Sequence, residues 1–294
     1  MNLTNLQRFS KGRVKALLGL TPAALGELLA SVLPVLVDRR RQQQAQRPNR
    51  KRAPGGGRTR GLAPYQEVLM TLVYLRHNVS HEVVGSLFGV RADTSENTFH
   101  EVVAVLRDVC PANRFDAEKR WKKGEPTWEP SQKDHVLIDT FETPVRRPSL
   151  DDAQRRVYSG KKKRHTLKTQ VVTDVSGEIQ DIDAGHRGPT SDKKVYEHSN
   201  VQQQFAQAKK QGDLAYQGVP GMIVPHKKPK GGALTPEQKE ENRALSSVRV
   251  HVEHGIRRIK GWRIVREDYR LALGLFPMIA STVVGLVQLN RLSG

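Results

Sequence analysis

Cysteine is almost missing from this chain: Cys110 stands alone among 294 residues. One thiol closes no internal disulfide and cannot supply the paired sulfurs of a cysteine-based zinc site. Long apolar runs are missing as well. The longest candidate, Leu271 to Leu289, contains Pro277 and Gln288 and reads as a buried terminal helix, not a membrane span. The opening stretch MNLTNLQRFSKGRVKALLGL lacks the pattern of a cleaved leader. Acidic residues are scarce, 30 against 49 Lys and Arg, which leaves a net charge of +19 at pH 7. Such an excess makes a polyanion the expected partner, and with no spanning segment the expectation is nucleic acid and no membrane. A soluble, cytoplasmic protein is the expectation, and 37% hydrophobic residues suffice for one medium domain beside a smaller one.

Four regions follow from the patterning. Residues 1–38 are an N-terminal helical segment, with Val14, Leu17, Leu18, Leu25, Leu28, Leu29 and Leu33 at helical spacing. Within it, Thr21-Pro22 offers a cap followed by proline at the first helical position. Residues 39–60 form a basic stretch holding Arg50, Lys51, Arg52, Arg58 and Arg60 around Pro54-Gly-Gly-Gly57. It reads equally as a flexible linker and as an arm that neutralises phosphates.

Residues 61–115 carry three helical patterns separated by Asn78-Val-Ser80 and Phe88-Gly89-Val90. Helix, short helix, glycine turn, helix is the order of a helix-turn-helix unit. With Thr94 or Ser95 as the cap, the third helix would turn Ser95, Glu96, Asn97 and His100 outward, and DNA contacts are expected from Ser95, Asn97 and His100. A tri-helical packing unit without a DNA role is the alternative.

Residues 130–294 change period. His135 to Phe141 reads as a buried strand, Arg164 to Asp174 and Glu178 to Ala184 as a hairpin about Ser176-Gly177, and 191 to 210 as a helix. Asp213–Tyr216 and Gly221–Pro225 read as short strands, and Thr235-Pro-Glu-Gln238 opens a long helix. The expected fold is α/β: a mixed sheet flanked by helices, preceded by the all-α unit.

Three carboxylates stand at chemically telling places. Asp139 ends the apolar part of the first strand, Asp213 opens a later one after a glycine, and Glu253 lies on the long helix. Acidic groups brought together from different elements can hold two divalent cations roughly 3.5–4 Å apart and activate a water or 3′-hydroxyl toward a phosphodiester. All-oxygen ligands suit Mg²⁺ or Mn²⁺. On the long helix, Arg249, Glu253 and Lys260 are spaced by four and seven, so they share a face. Taken alone, Arg249 and Glu253 are an ordinary surface pair. Asp192 reads as a helix cap, His186 as a polar loop residue, Trp262 as a packing residue, and Glu142 lies close to Asp139 but outside the triad.

Val136-Leu-Ile-Asp139-Thr-Phe-Glu-Thr-Pro-Val145, Gly212-Asp213-Leu-Ala-Tyr-Gln-Gly218 and Val248 to Lys260 together resemble the DDE transposases of bacterial insertion sequences, in the group related to Harbinger transposases. The basic hairpin Tyr158 to Lys168 is also similar, and the likeness covers roughly residues 60 to 290. Arg249, Glu253 and Lys260 fall in register on the Tyr-x2-Arg-x3-Glu-x6-Lys signature of related enzymes, with Ser246 at the tyrosine position. The resemblance implies a ribonuclease-H-like core in which Asp139, Asp213 and Glu253 bind two Mg²⁺ or Mn²⁺ ions. It implies that Arg249 and Lys260 contact phosphates. Lys161, Lys162, Lys163 and Arg164 read equally as a solvated hairpin tip and as cations that track the element's end. Terminal inverted repeats and target DNA would be the partners, with a homodimer or higher assembly on DNA. A non-catalytic DNA-binding descendant and a purely hydrolytic nuclease of the same fold are the competing readings.

Overall fold

The computed structural model describes residues 10–46, 60–110 and 134–293. Arg50, Lys51, Arg52 and Arg58, four of the expected phosphate-binding residues, lie outside the described residues. The chain divides into two compact units, one comprising residues 1–110 with 262–264 and 285–294, the other 111–261 with 265–284.

In the first unit, helices α1 (Lys11–Leu18) and α2 (Pro22–Ala45) are separate, because Gly19 takes a left-handed φ of 77° and Thr21 caps a new helix. The Thr21 hydroxyl accepts from the Ala24 amide and Pro22 fills the first helical position. A side chain at Gly19 is impossible on packing grounds too: a Cβ there would sit 2.6 Å from the ring of Trp262, which is buried. Helix α2 runs on to Ala45, so the first residues of the basic stretch are helical. Ion pairs explain this. Arg40 reaches Glu67 at 2.7 Å and Glu101 at 2.6 Å, and Arg39 reaches Asp108 at 2.5 Å.

Helices α3 (Pro64–His77), α4 (His81–Phe88) and α5 (Ala92–Val109) follow, with Gly89 in the left-handed turn between the last two. Leu69, Met70, Leu72, Val84, Phe99 and Leu106 are buried in this unit; each such side chain contributes about 1.5–3 kcal/mol. Helix α5 starts at Ala92, three residues before the expected Ser95 cap. That start rotates Ser95 inward, where it is 1% exposed and hydrogen-bonded to His81 at 3.1 Å.

The second unit is built on a mixed sheet. Strand β1 (His135–Pro144) pairs antiparallel with β3 (Arg164–Asp174), which pairs antiparallel with β4 (Ile179–Arg187). On its other edge β1 pairs parallel with β5 (Lys209–Gln211), and β5 parallel with β6 (Met222–Ile223). A two-residue β2 (Tyr158–Ser159), preceded by helix α6 (Asp151–Val157), borders the start of β3. Three antiparallel strands continued by two parallel ones, with helices around them, form a ribonuclease-H-like fold.

The β3–β4 hairpin turns where the sequence places it, at Gly177 with φ 77°. The expected single helix over 191–210 is instead two short helices, α7 (Asp192–His198) and α8 (Val201–Gln204), followed by β5. Pairing of residues 209–211 to the buried start of β1 overrides their local preference, a non-local gain that periodicity cannot register. Asp213–Tyr216 is not a strand either: the Asp213 side chain accepts the Ala215 amide and caps a single 3₁₀ turn, Leu214–Tyr216.

Helix α9 (Pro236–Lys260) opens with a reciprocal capping box between Thr235 and Gln238 and packs on β1 and β3. Val252, Ile256 and Ile259 form its buried stripe. The last long helix, α10 (Phe276–Leu292), begins in this unit and ends in the first. By length and composition 273–292 could cross a membrane, yet half of that stretch is buried within the protein.

Candidate active site

Strand β1 buries Val136, Leu137 and Ile138 and then presents Asp139 half-buried at mid-strand, before Phe141 and Thr143 return to the core. One Asp139 oxygen accepts the Thr140 amide at 2.7 Å. The other lies 3.7 Å from the Arg249 guanidinium of α9, which also stands 3.8 Å from Glu253 one turn further on. Arg249 thus sits between the first and third carboxylates. Its Nε is buried with no acceptor among the described residues, so the guanidinium is charge-paired but incompletely hydrogen-bonded.

A cleft of about 320 Å³ opens here. Asp139, Thr140, Phe141 and Glu142 line it from β1, Lys161 and Lys162 from the β2–β3 turn, Asp192 from α7, and Glu253, Ile256 and Lys260 from α9. Lys260 extends along the Phe141 ring, 5.2 Å from its centre. Burial, and then the charge of Lys162, hold the Lys260 amine below its ordinary range. Acidic and basic side chains therefore line the same cleft.

Burial is also the main influence on Asp139, whose carboxyl is pushed up to about 6; Asp213 and Asp192 push the same way, while the Thr140 amide and Arg249 oppose them. An aspartate raised above its ordinary value makes folding most favourable when protonated. That stability is present at pH 4 and is lost as the pH rises through about 6. Asp139→Asn is therefore expected to stabilise the metal-free protein at pH 7.5 by up to about 3 kcal/mol. It should also flatten the wild-type decline in stability between pH 4 and 7. Chemical denaturation at the two pH values checks this; an Asn variant no more stable than wild type at pH 7.5 would contradict it.

Asp213 is not part of the cleft wall. Its carboxylate accepts the Ala215 amide at 2.9 Å as the 3₁₀ cap, yet its charge reaches Asp139. Gly212 before it is required by packing, since a Cβ would lie 2.5 Å from the Tyr216 ring. Tyr216 is fully buried, its hydroxyl has no partner among the described residues, and burial together with Asp139, Asp192 and Asp213 holds it well above its ordinary range.

Among the described residues, no three His, Cys, Asp or Glu side chains meet closely enough to hold a metal ion as they stand. Arg249 between Asp139 and Glu253, and Asp213 turned to its own helix cap, account for that spacing. The chemistry of the donor set nevertheless fits a hard divalent cation: carboxylate oxygens only, one of them buried with too little positive charge beside it.

Several expected residues sit differently. Asp192 is not the cap of α7; Ser191 is. Asp192 instead accepts from Thr140 Oγ1 at 2.7 Å and pairs with buried Lys168 at 2.6 Å, tying α7 to β1 and β3. No local signal in the sequence links Lys168 to Asp192, 24 residues apart. Glu142 accepts from Thr166 at 2.6 Å while lining the cleft. His186 pairs with Asp183 on β4, away from the cleft lining.

Of the hairpin cations, Lys161 and Lys162 reach the cleft; Lys163 is exposed at a positive φ of 51°, and Arg164 is paired with Asp268 at 2.5 Å. In the helical unit Asn97 is exposed and His100 half-buried against Phe99. Ser95 does not face outward, and Arg60 is engaged with Glu101 at 2.8 Å. Ser246 lies exposed on α9.

Residues 138–288 match the model of a DDE superfamily endonuclease, and residues 60–111 the helix-turn-helix of DDE superfamily endonucleases. A protein of Microchaete diplosiphon named as a transposase for insertion sequence element IS702 is 32% identical over 81% of this chain and 83% of its own length. A counterpart from Streptomyces albus G, named for element IS112, is 28% identical over 85% of this chain and 84% of its own. No solved structure matches.

Proposed function

The chain belongs to the DDE superfamily of insertion-sequence transposases, and from that membership we propose that it binds the terminal inverted repeats of its element, cleaves the strand ends and joins them to target DNA. The observation that carries the reading is the meeting of Asp139 and Glu253 about one guanidinium in a cleft walled by Lys161, Lys162 and Lys260. In this reading Asp139, Asp213 and Glu253 are the ligands of two Mg²⁺ or Mn²⁺ ions. Bound there, the ions would supply Lewis-acid stabilisation and a nucleophile available near neutral pH.

The chain's own residues do the rest. Thr140 fixes one oxygen of Asp139, leaving the other directed at the α9 face. Arg249 leaves its position between the carboxylates and turns its unsatisfied Nε, with the neighbouring amine, to a phosphate, a bidentate partner that a guanidinium fits well. Lys260, stiffened along Phe141, and Lys162 hold the backbone flanking the reacting phosphate. Asn97 and His100 on α5 read the repeat, with the second protomer of a DNA-bound dimer engaging the other end.

Incubation with end-labelled repeat DNA and Mg²⁺ or Mn²⁺ tests the proposal. Cleavage at the repeat ends followed by joined products is expected. Cleavage without joining supports a hydrolytic nuclease, and binding without any cleavage supports the non-catalytic reading.

A further inference from the structure

Between β6 and α9 the chain forms a loop, His226-Lys-Lys-Pro-Lys230-Gly-Gly, whose residues are exposed. It is fixed at its start. The His226 amide donates to the Asn242 side chain at 2.7 Å, the Asn242 amide returns a bond to the His226 carbonyl at 3.0 Å, and the His226 ring pairs with Glu241. At its far end Gly231 takes a φ of 78° and Gly232 closes a turn onto Pro229.

The acids nearby are already used. Glu241 holds His226, Glu240 pairs with Arg243 at 2.9 Å, and Glu237 lies in the first turn of α9. Lys227, Lys228 and Lys230 have no ionic partner among the described residues. Three exposed lysines on an anchored loop lose little further loop entropy on meeting phosphates.

Helix geometry says where those phosphates lie. Asn242 and Glu253 are eleven residues apart, about three turns, so the loop's anchor and the acidic residue of the cleft share a face of α9 roughly 16 Å apart. Arg249 lies between them and Lys260 beyond, at intervals of seven and eighteen from Asn242, again on that face. A single DNA strand advances about 3.4 Å per nucleotide, so 16 Å corresponds to roughly five nucleotides.

We infer that Lys227, Lys228 and Lys230 form a second phosphate-binding site, one that grips the DNA backbone about five nucleotides from the bond held in the cleft. The site rests on the function proposed above and extends the contacts along α9.

The test uses the full chain, wild type and a Lys227→Gln/Lys228→Gln/Lys230→Gln variant, with repeat-end duplex. Binding is measured across a salt series, and phosphate ethylation interference maps the contacts. The variant should lose about 2.7 from the slope of log affinity against log salt. Between 50 and 200 mM salt, its deficit relative to wild type should therefore shrink about 40-fold. Interference should disappear about five nucleotides from the cleaved bond and persist beside it, with cleavage at low salt retained. An unchanged slope and interference map, with cleavage intact, would overturn the loop site and leave the proposed function standing. Absence of wild-type cleavage would instead strike at the proposed function.

Discussion

Asp139→Asn, Asp213→Asn and Glu253→Gln are each expected to lower strand cleavage by at least about a thousandfold, about 4 kcal/mol of transition-state stabilisation. Each change keeps the size of the side chain and removes the charge that a divalent cation requires. Affinity for repeat DNA should change little, because phosphate contacts come from Arg249, Lys260 and the hairpin lysines and not from the carboxylates. Asp213 is the demanding case. It caps a 3₁₀ turn and stands off the cleft wall, so a purely structural Asp213 would leave Asn a serviceable cap and preserve cleavage. Single-turnover cleavage beside equilibrium binding separates the outcomes, and a variant that cleaves normally removes its residue from the site.

Lys168→Met is expected to cost about 3–5 kcal/mol of stability. Lys168 is buried on β3, and its ammonium donates to Asp192 and to the Thr190 carbonyl, both at 2.6 Å. Removing it strands the Asp192 carboxylate in a nearly buried position, with the Thr140 hydroxyl as its remaining partner among the described residues. Asp192→Asn in the same chain removes the stranded charge, so the double variant should recover part of the loss, giving a coupling of about 2 kcal/mol. Cleavage should fall further than stability alone explains, because Thr140, the residue braced by Asp192, also donates to Asp139. Additive effects in the double variant would show that the two residues do not act as a pair.

The parts of the fold legible in the sequence are those whose cause is local. Strand β3 has its expected bounds because alternation and the Ser176-Gly177 turn define it within one stretch of chain. Helix α9 begins at Thr235-Pro236 because the capping box is written in four adjacent residues. The α9 face of Arg249, Glu253 and Lys260 follows from helical period alone.

What stayed illegible depends on partners far along the chain. β5 forms because it pairs with β1 more than seventy residues earlier, and Asp192 at the start of α7 acquires its role from Lys168 on β3. Ser95 turned inward because α5 begins at Ala92 without a side-chain cap, leaving nothing in the sequence to mark the start. Arg60, in a stretch that composition assigns to DNA, is held instead by Glu67 and Glu101. In the site itself the three carboxylates were readable as residue types in order. The guanidinium between two of them was not, since the approach of Arg249 to Asp139 joins α9 to β1.

The most direct measurement is a crystal structure with repeat-end DNA and Mn²⁺, using anomalous scattering to locate the ions. Two manganese peaks roughly 3.5–4 Å apart, ligated by Asp139, Asp213 and Glu253 with Arg249 withdrawn onto a phosphate, are the expected result. Manganese held by Asp139 with Asp192 or Glu142, while Asp213 remains on its helix cap and Arg249 stays between Asp139 and Glu253, would contradict it.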